Sequence, residues 1–156
     1  MKRPIIAVLL ATAVTLPAFA ALKQGDAAPE FAAQASLAGK TFAFSLADAR
    51  RHGPVVVYFY PAAFTEGCNV QAHEFAVKME KFQAAGATVI GVSLDNGFKD
   101  TRGVEVGHGF AERTTFVVSS DGIIAATIGG LAPATNVDRA LAAVQRLAGA
   151  GQPAKK

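Results

Sequence analysis

The sequence has one cysteine, no long apolar run in its main part and no nucleotide-binding signature. A single thiol, Cys68, cannot form a disulfide within the 156-residue chain, so any thiol chemistry depends on this one residue. No stretch beyond the N-terminal region approaches the about 18 apolar residues of a membrane span. Phosphate-binding loops, dinucleotide fingerprints and paired catalytic carboxylates are also missing, and the histidines and acids lack metal-ligand spacing. The sequence therefore predicts neither a cofactor nor a bound metal.

The first twenty residues have the three parts of a secretory signal peptide. Lys2 and Arg3 form a basic start, Ile5 to Leu16 an apolar stretch, and Ala18-Phe19-Ala20 a small-residue cleavage site. We therefore expect residues 1–20 to be removed on export, and the mature protein to be periplasmic or extracellular without membrane attachment. Such a compartment normally favours disulfides, which makes a lone thiol there either inert or kept for its reactivity.

The rest of the chain is long enough for one globular domain and too short for two. With 51% hydrophobic residues it can build a substantial core, and we assign the domain to residues 21–150 and a disordered tail to 151–156. Loss of the two basic residues of the signal lowers the formal net charge from +3 to +1. No basic stripe with interleaved aromatics remains, so nucleic acid is not an expected partner.

Cys68 follows the strongest strand pattern in the chain. Val55 to Tyr60 is a run of six apolar and aromatic residues that Pro61 ends, as in a strand buried on both faces. A helix is predicted from about Glu66 to about Ala85, with Thr65 as its candidate N-cap. In the first turn of that helix, unpaired N–H groups and the helix dipole favour a thiolate. The only thiol thus lies where cysteines become nucleophiles.

The remaining patterns predict an α/β fold of mixed strand direction with helices on the sheet faces, which matches a thioredoxin-like core. The helix containing Cys68 has Phe75, Met79 and Phe82 at helical spacing, and the last helix has Val137, Leu141 and Val144 on its buried face. The other predicted elements are a half-buried strand at Thr41–Leu46, a buried strand at Thr88–Leu94, one long loop at Asp95–Glu112, a hairpin of Thr114–Val118 and Ile123–Ile128, and a final helix from Thr135 or Asn136.

Strand direction predicts a meeting of Cys68 with a distant arginine. The two strands of a strand-helix-strand crossover are parallel and end at the same sheet edge. If Thr114–Val118 runs antiparallel beside the first of them, it starts at that edge. Arg113, just before it, would then arrive beside Cys68.

Pro61, Thr65 and Cys68 spell Pro-x-x-x-Thr-x-x-Cys directly after the buried strand. Together with Gly25–Phe31 upstream and Arg113-Thr-Thr-Phe116 downstream, this pattern resembles the peroxiredoxins and looks closest to their bacterioferritin-comigratory branch, over about residues 22–147. The resemblance implies a thioredoxin-like three-layer fold and reduction of hydroperoxides. It also implies that Cys68 is the peroxidatic cysteine, that Thr65 positions the peroxide, that Arg113 stabilises the thiolate and that Pro61 shields the site.

Two departures from that family affect the expected mechanism. Members of this branch often carry a resolving cysteine five residues after the first, and His73 occupies that position. The resemblance therefore points to a one-cysteine type that uses an external thiol or a thioredoxin-like reductant; a homodimer is left open. The family also usually has a further helix and strand before the arginine, whereas this chain keeps only Asn96 to Glu112 in a shortened central segment.

Less specific interpretations stay open at this stage. Cys68 could be a small buried hydrophobe, Thr65 could act only as a helix cap, and Arg113 could merely pair with Glu112. A cysteine hydrolase with His108 as its base is a second functional class. A redox sensor, or a remnant of a peroxidase that no longer turns over, is a third. Consumption of peroxide separates these three functions.

Overall fold

The computed structural model describes residues 21–61, 65–93 and 111–150. The predicted signal peptide at 1–20 and tail at 151–156 lie outside the described residues, as does most of the predicted loop before Arg113. Within the described ranges the secondary structure is β1 Ala32–Leu37, β2 Lys40–Ser45, α1 Leu46–Arg50, β3 Val55–Phe59, α2 Glu66–Val77, α3 Met79–Ala84, β4 Thr88–Val92, β5 Thr114–Val118, β6 Ile124–Gly129 and α4 Pro133–Ala150.

A four-stranded mixed sheet in the order β4-β3-β5-β6 forms the centre of the molecule. β3 and β4 are parallel, β3 and β5 are antiparallel, and β6 returns antiparallel to β5. The predicted α/β class with a mixed sheet, and the predicted antiparallel neighbour of the central strand, are both confirmed. β1 and β2 form a separate two-stranded hairpin.

Two apolar clusters cover the two faces of this sheet. On one face Val56 and Val117 pack with the buried residues of α2, α3 and α4, among them Phe75, Phe82 and Val144. On the other face Val55 and Val57 pack with Phe44 and Leu46, from the hairpin and α1. Alternate residues of β3 therefore point into different clusters, as the period of a strand requires. The sheet has a layer on each side, as expected of the three-layer fold.

Several element boundaries differ from the sequence prediction, three of them in the helices. The predicted helix over residues 66–85 divides at Lys78, which has φ −97° and ψ 4° and ends α2. Leu46 begins α1 instead of ending the preceding strand, because the Ser45 hydroxyl accepts a hydrogen bond from Asp48 N and caps that helix. α4 starts at Pro133, where the missing N–H of proline costs no helical hydrogen bond.

β1 was not predicted, and its sequence explains why. Four of its six residues are alanine or serine, which have little strand preference, and most of the strand is exposed. It forms because each of its residues pairs with β2 through a tight turn at Ala38 and Gly39, both at positive φ.

Phe82 is predicted to be one of the main stabilising residues. Its side chain has no exposed surface and its ring centroid lies 5.6 Å from that of Phe75. We expect Phe82→Ala to lower the free energy of unfolding by about 3–5 kcal/mol, because it leaves a cavity in the larger cluster. Leu37→Ala, at a side chain that is 73% exposed, should change it by less than about 0.5 kcal/mol. Urea unfolding measures both, and equal losses would contradict the assignment of the core.

Candidate active site

Cys68 lies in the first turn of α2, at the sheet edge where β3 ends. The backbone N–H of Tyr60 still donates to Val92 O at 3.0 Å, which extends the β3–β4 pairing by one residue, and Pro61 follows in a bend. α2 then begins at Glu66, so the thiol lies beside the amino end of the helix. The Cys68 side chain is 5% exposed. The thiol therefore lies in a nearly enclosed position at the start of α2.

Thr65 occupies the N-cap position, but its side chain does not cap the helix. Its backbone is extended, with φ −85° and ψ 151°, and its carbonyl accepts the first helical hydrogen bond from Asn69 N at 2.9 Å. No capping hydrogen bond is made by the side chain. Thr65 is therefore the N-cap residue by its backbone, as predicted. Its hydroxyl does not cap the helix, so capping does not explain the side chain.

Arg113 lies beside Cys68, as the strand directions predicted. β5 is antiparallel to β3, with Tyr58 opposite Thr115, so the residue before β5 is at the edge where β3 ends. Arg113 Nη2 is 3.5 Å from Cys68 Sγ. The Arg113 side chain donates hydrogen bonds to the thiol and to Gln71, and no ion pair joins it to Glu112 in the described part of the chain. Among the described residues, the guanidinium thus faces the cysteine rather than Glu112.

Gln71 is a member of the site that the sequence interpretation missed. It lies one helical turn after Cys68, has no exposed surface, and its Oε1 accepts a hydrogen bond from Arg113 Nη1. The guanidinium therefore donates to the glutamine through one terminal nitrogen and approaches the sulfur with the other. The available signal was a polar residue three positions after the cysteine and four before Phe75, on the face of the helix that packs inward.

Tyr58 places an uncharged aromatic side chain at the same edge of the sheet. Its ring stacks on Phe75 with centroids 4.3 Å apart and lies over Gly91, where a Cβ atom would approach the ring to 2.5 Å. Burial, followed by the neighbouring Tyr60 and Cys68, raises the pKa of the Tyr58 phenol above its usual value of 10.0. The phenol therefore stays uncharged at neutral pH and places no second negative charge near the sulfur.

The other candidates contribute less to this cluster. Pro61 lies in the half-buried bend between β3 and α2, next to residues 62–64, which are outside the description. His73 is exposed on α2, and His108 lies outside the described residues. The ranges that the structure describes contain no group of three histidine, cysteine or acidic side chains arranged to hold a metal. None of their helices is both long and apolar enough to cross a membrane.

Comparison with known proteins identifies the family of the chain. The model of the AhpC/TSA family matches residues 24–105 of the chain. The chain is 45% identical over 78 residues to the chloroplastic peroxiredoxin Q of Populus jackii, an alignment that covers 50% of the chain and 35% of that relative. The chain spans about half or less of the length of the curated relatives it matches.

Solved structures share the fold over most of the chain. Peroxidoxin BcpB of Mycobacterium tuberculosis superposes with a TM-score of 0.66 and 23% identity, covering 81% of this chain and 98% of that one. Peroxiredoxin Q of Xanthomonas campestris gives a TM-score of 0.55 and 26% identity, covering 68% and 85%. The chain belongs to the AhpC/TSA family, as a peroxiredoxin of the bacterioferritin-comigratory branch. The resemblance carried by its motifs is confirmed.

Gly67 gives this site its room, and replacing it should disturb the site without weakening the fold. A Cβ atom there would lie 3.1 Å from Arg113 Nη2, closer than side chains normally approach. We expect Gly67→Ala to displace the guanidinium and to slow alkylation of Cys68 several-fold at neutral pH. Because alanine favours a helix by up to about 1 kcal/mol over glycine, stability should be kept or raised.

Gly149→Ala is the matched control for this substitution. Gly149 is also helical, and a Cβ atom there meets nothing within 4 Å. This variant should gain the helix preference and leave thiol reactivity unchanged. Alkylation kinetics and urea unfolding of both variants decide the point, and an unchanged alkylation rate in Gly67→Ala would contradict the proposed crowding.

Proposed function

We propose that this protein is an exported, one-cysteine thiol peroxidase that reduces hydrogen peroxide or organic hydroperoxides. The observation that carries the proposal is the 3.5 Å approach of Arg113 Nη2 to the sulfur of a nearly buried cysteine at the start of a helix. A guanidinium and a helix N-terminus both stabilise a thiolate. Membership of the peroxiredoxin family supports the choice of peroxide as the substrate.

The reaction begins with attack by the Cys68 thiolate on one peroxide oxygen. The S–O bond forms as the O–O bond breaks, and the leaving oxygen takes a proton to become water or an alcohol. Cys68 is then a sulfenic acid, because its sulfur has lost the two electrons that reduce the peroxide. Negative charge moves from sulfur to the leaving oxygen during this step, and we assign Arg113, whose Nη2 faces the sulfur, to stabilise that charge. Thr65 is assigned to hold the peroxide and Pro61 to shield the thiol, both on the family motif.

Return to the thiol requires a reductant from outside the chain. The sequence has no second cysteine, so an external thiol condenses with the sulfenic acid, releasing water and forming a mixed disulfide. A second thiol then attacks that disulfide and leaves Cys68 reduced. A small dithiol or an exported thioredoxin-like protein has the required chemistry. His73, in the position where this branch often carries a resolving cysteine, has no thiol to offer.

Export to the periplasm or the extracellular space is part of the proposal and is supported by the signal-peptide pattern at residues 1–20. A protein in such a compartment would meet peroxide outside the reducing cytosol.

Replacing Arg113 by lysine should slow the reaction with peroxide by some tens-fold, equivalent to about 2 kcal/mol of transition-state stabilisation. Lysine keeps the charge but lacks the fork that donates to Cys68 and Gln71 together. Arg51→Lys is the control, since the Arg51 side chain is 77% exposed. Stopped-flow peroxide consumption measures both rates, with Cys68→Ser as the blank. Equal rates for Arg113→Lys and the wild type would contradict the role of Arg113, and consumption by Cys68→Ser would contradict the whole proposal.

Turnover should depend on an added dithiol. With dithiothreitol present, peroxide is consumed over many turnovers. Without it, one equivalent of peroxide gives the sulfenic acid, excess peroxide uses a second equivalent in oxidising Cys68 to the sulfinic acid, and consumption then stops. Intact mass follows each state through the gain of one or two oxygens. A single reaction that thiol cannot reverse would support the sensor instead. A stoichiometric covalent dimer on non-reducing gels at low protein concentration would contradict external resolution.

A further inference from the structure

We propose that Asn136, on α4, is a positioning residue for the Cys68 site: it fixes the orientation of the Gln71 amide, which in turn holds the guanidinium of Arg113 against the sulfur. The catalytic consequence rests on the proposed function. The effect on the thiol does not, because it concerns only the charge beside Cys68.

One network contains all three polar side chains that are buried in the described ranges. Gln71 from α2, Thr115 from β5 and Asn136 from α4 each have no exposed surface. Asn136 Oδ1 accepts from Thr115 Oγ1 at 2.6 Å and from Gln71 Nε2 at 3.2 Å, and Asn136 Nδ2 donates to Ile128 O at 3.1 Å. Buried polar groups normally have such partners. Here the hydrogen bonds continue from Gln71 to Arg113, and from Arg113 to the thiol of Cys68.

The chemistry of the donors and acceptors allows only one arrangement of this chain. Ile128 O is a backbone carbonyl in β6 and can only accept, so Asn136 must present its NH₂ group there and its oxygen to the other side. That oxygen can only accept, so Gln71 must present its own NH₂ group to Asn136. Gln71 Oε1 is therefore left facing Arg113, whose guanidinium has donors only. The Ile128 carbonyl of β6 thus sets which group donates and which accepts in every hydrogen bond from Asn136 to Arg113.

Without Asn136, nothing in this network fixes which end of the Gln71 amide faces Arg113. The Gln71 amide could then turn over and present its NH₂ group to the guanidinium, two donors facing each other. Arg113 Nη1 would lose its acceptor, and Nη2 would no longer be directed at Cys68 Sγ. A donor that must be ordered during the reaction stabilises the transition state less than one already in place. Asn136 therefore acts on the sulfur through two intermediates and does not touch the reacting atoms.

The alternative is that Asn136 only joins α4 to the sheet. Its bonds to Thr115 and Ile128 would stabilise the fold in either case, so loss of stability alone does not separate the two roles. What separates them is dependence on Gln71. An effect transmitted through the glutamine disappears when the glutamine is absent, whereas a general loosening of α4 does not.

The experiment is a double-mutant cycle with Asn136→Ala, Gln71→Ala and the two combined. Because Cys68 is the only thiol, ultraviolet absorbance of the thiolate against pH reports its titration directly, and urea unfolding reports stability. We expect either single variant to raise the titration midpoint by about one pH unit, equivalent to about 1.4 kcal/mol, and to slow the peroxide reaction about tenfold. The combined variant should titrate like Gln71→Ala alone.

Val144→Ala is the matched control. Val144 is also fully buried on α4 but packs in the apolar cluster, so its truncation should lower stability and leave the midpoint unchanged. If Asn136→Ala does not fold, Asn136→Leu keeps the side-chain volume, removes both hydrogen-bonding groups and should give the same shift.

Each outcome bears on one claim. A wild-type midpoint in a folded Asn136 variant, an additive shift in the combined variant, or an equal shift in Val144→Ala would overturn the role of Asn136. A chain that shows the coupled shifts but consumes no peroxide would support the positioning and contradict the peroxidase proposal. Peroxide turnover by the wild type, with unshifted titration midpoints in the variants, would support the peroxidase proposal and contradict the positioning role.

Discussion

The contact between the Arg113 guanidinium and the Cys68 sulfur is the interaction on which the site depends, and it follows from strand direction. β3 ends where α2 begins, and β5 starts at the same edge because it runs antiparallel to β3. Two residues separated by 45 positions therefore meet with Nη2 and Sγ 3.5 Å apart. Had β5 been parallel to β3, Arg113 would lie at the opposite edge of the sheet.

A contact of this kind needs a surrounding that holds the cation in place. The stacked rings of Phe75 and Tyr58 belong to the larger apolar cluster and pack beside the site, and Gly67 leaves the space that the guanidinium fills. The fully buried polar groups of the described core point toward this site rather than being scattered through it. Such groups are costly to bury without partners, and here each has one.

The sequence predicted most of the elements because their signals are local. The uninterrupted apolar run of β3, the helical spacing of Phe75 and Phe82, and the buried face of α4 all survive in the structure. β1 and the division of the long helix at Lys78 were missed. β1 depends on pairing with β2, which no local pattern shows. Lys78, where the helix divides, also donates through Nζ to Asp138 on α4, a contact that the sequence does not show.

The sequence by itself determined where the thiol would lie and which arginine could reach it. Cys68 follows a strand that Pro61 ends and opens a helix, and the order of strands brings Arg113 to the same edge. Only the tertiary structure decided the rest of the site. Gln71 and Asn136 are 65 positions apart and belong to no shared motif. Their roles depend on which donor meets which acceptor once α2, α4 and β6 have packed, and side-chain hydrogen bonds between distant elements leave no periodicity in a sequence.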